Sequence, residues 1–211
     1  TLKEDLKILK EFHISYLHID IMDGIFVPRF GMYPEMVEKI KNWSPIPLEV
    51  HLMIQNPENY IDTFIQAGAD ILTIHTEVCH SNLSRILEKI AAGGAKAGLA
   101  LNPATDFDSF AYIEDQFDYL LLMGINPGIV GQKIKPFMLN KIKKYRNLLP
   151  LSKKIIIDGG VNLTNFQDLF DGGADILVGG SQTIFRDLDS LSENLSKILT
   201  LQNNSKAYSS L

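Results

Sequence analysis

One cysteine in 211 residues cannot staple the chain by a disulfide, and that scarcity fits a reducing cytosol. An excess of positive charge is missing as well. The 20 Lys and Arg are outnumbered by 25 Asp and Glu, a formal net charge of −5, which argues against a nucleic-acid or anionic-membrane partner. No apolar run approaches the length of a transmembrane helix, and the opening "TLKEDLKILKEF" reads as an amphipathic helix rather than a signal peptide. No low-complexity linker divides the chain. What is present is 45% hydrophobic content, enough for one sizeable core. The expectation is one cytoplasmic α/β domain over 1–200, with "LQNNSKAYSSL" a polar C-terminal tail over 201–211.

Seven short apolar runs read as strands, near 16–22, 48–53, 71–75, 97–102, 119–125, 154–158 and 176–180. Segments of helical period lie between them, among them "PEMVEKIKNW", "PENYIDTFIQAG", "LSRILEKIAAGG" and "LTNFQDLFDGG". Several stop at glycine just before the next strand, as a helix C-terminus does. The strands are nearly continuous in apolar residues, which suits parallel strands covered by helices. Two architectures fit this alternation, a doubly wound open sheet and a TIM (β/α)8 barrel. The barrel requires an eighth strand, and its natural place is ahead of Leu2, so the barrel reading expects the first strand to be missing from this sequence.

The stretch "LHIDIMDG" carries His18 and Asp20 two positions apart, and residues i and i+2 of a strand share a face. Met22 stands beside them on that face. In a barrel the active site lies at the carboxyl ends of the strands. Those ends here carry His18, Asp20, His51, His75, Glu77, Asn102 and Asp158. His18, Asp20, His51 and Asp158 come from three strands that a barrel converges on one point, and two imidazoles with two carboxylates suit Zn²⁺, Mn²⁺, Fe²⁺ or Co²⁺. A second cluster is rich in glycine: "NPGIVGQ", "DGG" and "VGGS" follow the last three strands. Barrels often hold phosphate there, because glycine lets backbone amides approach an anion.

The blocks "LHIDIMDGIFVP", "EVHLMI", "AGADILTIH", "KAGLALNPAT", "NPGIVGQ", "IIIDGGV" and "GADILVGGS" together resemble the pentulose-phosphate 3-epimerases, of which ribulose-phosphate 3-epimerase is the main member. The resemblance runs from about Leu2 to Phe185. It implies a phosphate-binding barrel and one divalent metal ion, Zn, Fe, Mn or Co, held by His18, Asp20, His51 and Asp158. It also implies that Asp20 and Asp158 are the acid and base that invert C3 of a ketose phosphate through a cis-enediolate. The sugar is left open between ribulose 5-phosphate and a hexulose phosphate such as allulose 6-phosphate. Met22, Met53 and Met123 match methionines that line the sugar pocket. Gly128, Ile129, Val130, Gly131, Gly159, Gly160, Gly180 and Ser181 fall in the substrate- and phosphate-binding loops, joined by His51 and Asp158. The expected partner is a small sugar phosphate, and the expected assembly a homo-oligomer, dimer or hexamer.

Three residues depart from the family pattern. Ile25 stands where a histidine is usual, Arg29 where an asparagine is usual, and Val130 replaces a glycine of the phosphate loop, restricting the backbone if that position needs a positive φ. Two other readings compete. A phosphate-barrel decarboxylase or aldolase-type synthase would place Asp-x-Lys-x-x-Asp on a strand, and "DIMDG" has no lysine there. A phosphosugar-binding or regulatory protein without turnover is the reading that Val130 and Arg29 favour.

Overall fold

The computed structural model describes residues 1–106, 108, 110–129, 131–186 and 189–208, with side chains for all of these except 80, 110, 111 and 202–208. The chain opens with helix α1 (Leu2–Glu11), strand β1 (Leu17–Met22), α2 (Pro34–Trp43), β2 (Leu48–Met53), α3 (Ile61–Gln66) and β3 (Ile71–His75). It continues through α4 (Thr76–Cys79), α5 (Leu83–Ala92), β4 (Lys96–Leu101), α6 (Phe110–Ile113) and β5 (Tyr119–Met123). The last elements are α7 (Met138–Leu148), β6 (Lys154–Asp158), α8 (Phe166–Asp171), β7 (Ile176–Leu177) and α9 (Leu191–Tyr208).

Local chemistry accounts for these elements. Helix α2 begins on Pro34, whose missing N–H costs nothing at a first helical position. Helix α5 buries Leu83, Ile86, Leu87 and Ile90, the i, i+3, i+4, i+7 set of one helical face. Helix α8 is followed by Gly173 at φ 109°, a conformation glycine takes without strain, and the chain turns there into β7. Strand β2 is buried along its whole length, as a parallel strand covered on both faces must be.

The seven strands pair in parallel in sequence order, β1 to β7. The sheet curls: the Tyr16 hydroxyl, just ahead of β1, lies 3.1 Å from the Tyr119 hydroxyl of β5. Outside the curl, one large core packs the sheet against the helices. Inside it, Ala100, Leu121, Met123 and Ile156 form a smaller apolar cluster contributed by β4, β5 and β6. On β1 to β3 the inward face carries His18, Asp20, Glu49, His51, Thr73 and His75 beside Met22, Met53 and Ile71, so the polar groups gather on one side of the interior. The architecture is an α/β TIM fold with an open seam between β1 and β7. Helix α1 packs against α9 across that seam. Gly31 and Met32 donate to the Met22 and Asp20 carbonyls (3.0 Å each), so the loop after β1 takes up part of that strand's free edge.

Three aspartates repeat one device on the rim opposite the site. Asp70, Asp118 and Asp175 each precede a strand and each accept a backbone N–H at the start of the neighbouring strand, from Leu48 (2.7 Å), Ala97 (3.3 Å) and Ile155 (2.8 Å). Each also meets a cation: Lys41 at 2.5 Å, Lys96 at 3.2 Å and Arg146 at 3.0 Å.

Strands β2, β3 and β6 match their expected bounds. Strand β7 is shorter than the 176–180 expected from sequence: the Val178 N–H still reaches the Ile157 carbonyl (2.9 Å), after which the chain turns and Gly180 accepts from Thr183 and Phe185. Helix α9 runs through most of the expected polar tail to Tyr208, since no Gly or Pro interrupts 191–208. Residues 209–211 lie outside the described set.

Candidate metal and acid–base centre

Four side chains meet at the carboxyl end of the sheet. His18 and Asp20 come from β1, His51 from β2 and Asp158 from the end of β6, with four strands between β1 and β6 in sheet order. His18 Nε2 lies 3.0 Å from Asp20 Oδ1 and 3.7 Å from Asp158 Oδ2. His51 Nδ1 lies 3.4 Å from Asp20 Oδ1 and 3.8 Å from Asp158 Oδ2. One ligand atom from each residue falls within 4.8 Å of every other.

These separations suit a shared cation. Ligand atoms bound at roughly 2.1 Å in a tetrahedral site stand about 3.4 Å apart. A second observation agrees. His51 Nδ1 is fully buried and has no hydrogen-bond partner, although it faces two carboxylates. A buried imidazole nitrogen left without a partner between two carboxylates is the place a shared cation would fill.

The two aspartates stand in different electrostatic surroundings. Burial pushes the Asp20 carboxyl up, but the adjacent His18 and His51 outweigh it and hold it well below the usual carboxylate range. Burial also raises Asp158, and there the negative charge of Asp20 adds to it, so its net shift is upward. Burial lowers His18, yet Glu49, Asp158 and Asp20 together carry it well above an ordinary imidazole.

Behind the four lies a layer that the sequence reading did not assign. Glu49, buried on β2, takes the Nδ1 side of His18 and accepts from the Thr73 hydroxyl (2.5 Å). Glu49 and His51 are two apart on one strand, the same spacing that marks His18 and Asp20, so that signal was there to find. On the other side, His51 Nε2 lies 2.9 Å from His75 Nε2, and His75 Nδ1 lies 3.1 Å from Glu77 Oε2. Burial pushes His75 down to about 4. Burial raises Glu77, but His75 and the Asn102 amide overcome it and bring the carboxyl to about 2.

The other expected site residues fall around this centre. Met22 and Met53 are partners in the β1–β2 register, and Met123 pairs with Asp158 across β5–β6. Asn102 contributes its backbone amide to Glu77 rather than a side chain to the centre (2.7 Å). Asp23 of the "MDG" run organises loops: it accepts from Ile25 (2.8 Å), Phe26 (2.9 Å) and Gln55 (2.8 Å). Ile25 and Arg29 are exposed on the loop after β1.

The glycine loops after β5, β6 and β7 lie side by side. Gln132 donates to the Asn126 and Ile129 carbonyls (2.8 and 2.9 Å), and Gln182 donates to the Gln132 carbonyl (3.4 Å). Gly128 and Gly131 have φ of 77° and 79°. Around Gly131 and Gly180 a Cβ would meet nothing within 4 Å, so open space borders both, and Ile129 and Ser181 are exposed beside them. At Gly159 and Gly160 the backbone is closely approached: a Cβ there would come within 2.4 Å of Ile125 and 2.6 Å of the Ile134 backbone. Val130 lies outside the described residues.

A sequence profile of the ribulose-phosphate 3 epimerase family matches residues 1–185. The chain belongs to this family. Ribulose-phosphate 3-epimerase of Bacillus subtilis (strain 168) is 40% identical over 185 residues, 86% of this chain and 85% of that protein. The Synechocystis enzyme of the same name is 39% identical over 85% of this chain and 80% of its own length. The chloroplastic ribulose-5-phosphate-3-epimerase of Arabidopsis thaliana is 37% identical over 85% of this chain and 66% of its own. Membership puts the chain among the isomerases, in the racemase and epimerase class acting on carbohydrates. Among solved structures, 3-hexulose-6-phosphate synthase superposes with a TM-score of 0.69 at 15% identity, covering 93% of this chain and 91% of that one. Phosphoribosyl anthranilate isomerase of Thermus thermophilus gives 0.68 at 16% identity, over 96% and 94%. At such identities these likenesses speak for the fold alone. Among the described residues, no helix is long and apolar enough to cross a membrane.

Proposed function

We propose that the chain inverts C3 of a ketose phosphate by two-base proton transfer through a cis-enediolate, with ribulose 5-phosphate and xylulose 5-phosphate as the first substrate pair to test. The observation that carries this reading is the meeting of His18, Asp20, His51 and Asp158 within 4.8 Å, in a chain of this family. These four would hold one divalent ion, Zn, Fe, Mn or Co. When bound, such an ion supplies Lewis-acid stabilisation of the negative charge that develops on the substrate oxygens as the proton leaves.

The protein's own groups carry the rest of the chemistry. Asp20 and Asp158 approach from different strands, so each can hold a proton for one face of a planar intermediate, as inversion requires. Met22, Met53 and Met123 border the centre with apolar, adaptable side chains that exclude water. Open space borders the backbone at Gly131 and Gly180, room for a phosphate beside backbone amides, remote from C3. Arg29 and Ile25, on the loop after β1, are the residues through which a sugar other than a pentulose would be selected. A homo-oligomer remains the expected assembly, and exposed apolar side chains on that loop, Ile25 at 75% and Phe30 at 81%, support it.

The test is loss of the C3 proton in D₂O, followed by proton NMR over a panel of pentulose and hexulose phosphates. Exchange with one sugar identifies the substrate. Binding of a sugar phosphate with no exchange on any of them would overturn the epimerase reading in favour of a binding protein.

A further inference from the structure

The chain His51–His75–Glu77 runs away from the centre and has no place in the proton transfers just described. All three lie on the polar side of the interior. His51 and His75 are fully buried with ring planes 22° apart, and the Phe26 ring lies 4.8 Å from the His75 ring between centroids. Glu77 Oε1 accepts the Asn102 backbone N–H (2.7 Å), while Oε2 faces His75 Nδ1 (3.1 Å).

Hydrogen-bond bookkeeping settles the order of donors. A carboxylate only accepts, so His75 must carry its proton on Nδ1. A neutral imidazole has one N–H, which leaves His75 Nε2 an acceptor. His51 Nε2, 2.9 Å away, must therefore be the donor. In the neutral ring that ligates a metal, its other nitrogen, Nδ1, then carries the lone pair, and that is the orphaned buried atom aimed between Asp20 and Asp158.

We infer that Glu77 and His75 are positioning residues that lock His51 in the Nε2–H tautomer and so keep its Nδ1 free as a ligand. This rests on the metal-dependent reading above and deepens it. Outer partners of ligating histidines fix tautomer and ring orientation, and losing one typically costs about 10–100-fold in metal affinity.

Glu77→Gln provides a sharp test, because the structure dictates which way the new amide turns. The Asn102 N–H can only donate, so the glutamine oxygen must face it and the NH₂ must face His75 Nδ1. The Thr105 hydroxyl, another partner of Glu77, can rotate and imposes no direction. His75 is then forced to the Nε2–H tautomer, and His51 Nε2 has to accept. The proton of His51 moves to Nδ1, where it blocks the lone pair. Two readouts follow, both independent of turnover. Long-range ¹H–¹⁵N spectra of the metal-free proteins report each tautomer, and competition with a chelator gives the Zn²⁺ and Mn²⁺ dissociation constants.

The expected result is Nδ1–H on His75 and Nε2–H on His51 in the parent, both reversed in Glu77→Gln. Metal binding should weaken about 10–100-fold in Glu77→Gln and recover in part in Glu77→Asp, which keeps an acceptor-only group. Unchanged metal affinity in a folded Glu77→Gln protein, or Nε2–H on His75 in the parent, would overturn the inference. If the parent bound neither ion, the metal reading itself would fall, while the tautomers would still decide whether the relay exists. If Glu77→Gln does not fold, the parent spectra and Glu77→Asp decide: Nδ1–H on His75 with Glu77→Asp affinity at or moderately below the parent upholds the relay.

Discussion

His18 and Asp20, two residues apart on one strand, close on each other to 3.0 Å between Nε2 and Oδ1, and the same Asp20 oxygen lies 3.4 Å from His51 of the next strand. One carboxylate oxygen thus stands between two imidazoles from different strands. Removing either imidazole should open the cluster. For His51→Ala we expect loss of bound divalent metal and of epimerisation, and chelation should silence the parent in the same way. Metal analysis of parent and variant checks it, and equal metal content with full activity after chelation would end the metal assignment.

Asp20→Asn and Asp158→Asn should each lower the rate of C3 inversion by about 10²–10⁴-fold, the usual contribution of a positioned acid or base. Their behaviour toward solvent should differ from their turnover. With one base gone, the epimer that presents its C3 proton to the remaining aspartate still exchanges it with D₂O, although no inverted product forms. A variant within about tenfold of the parent, a barrier change of only ~1.4 kcal/mol, would show that its aspartate is not essential.

Gly98→Ala is expected to reach the centre from two strands away. A Cβ at Gly98 would come within 2.1 Å of the Thr73 hydroxyl, which donates to the Glu49 carboxylate that takes His18. The added methyl should cost about 1–3 kcal/mol of stability as overpacking. It should also weaken metal binding as Thr73, Glu49 and His18 shift together. Urea denaturation and Mn²⁺ titration measure the two effects, and a stability loss with unchanged affinity would disconnect Thr73 from the site.

Cys79 should be inert in the native protein. It is buried, its Sγ donates to the His75 carbonyl (3.0 Å), and burial pushes the thiol up to about 12. At pH 8 only on the order of one such thiol in 10⁴ is ionised, and the thiolate is the reactive form. Iodoacetamide should label the protein in denaturant and leave the folded protein unlabelled. Rapid labelling without denaturant would contradict the burial.

Much of this was legible in the sequence because it depends on short spacings. The i, i+2 pair His18 and Asp20 declares one face of one strand. Contacts that depend on how strands are staggered were not legible. His51 faces Thr73 in the β2–β3 register, so His75 sits one inward position farther along, and no spacing within either strand reveals that the two rings touch. Glu49 was a different miss, since its spacing from His51 was in plain view. The expected β7 is too long because it takes in Gly179 and Gly180, beyond an apolar run and a ladder that both end at Val178.

The cluster ties together distant parts of the sheet. His18 and Asp20 stand on β1 and Asp158 at the end of β6, with four strands between them in sheet order. A cation joining all four side chains would act as a lateral stitch across the interior, and its binding energy would appear largely as slowed amide exchange in the strands it ties. Strands far apart in the ladder would then open together or not at all.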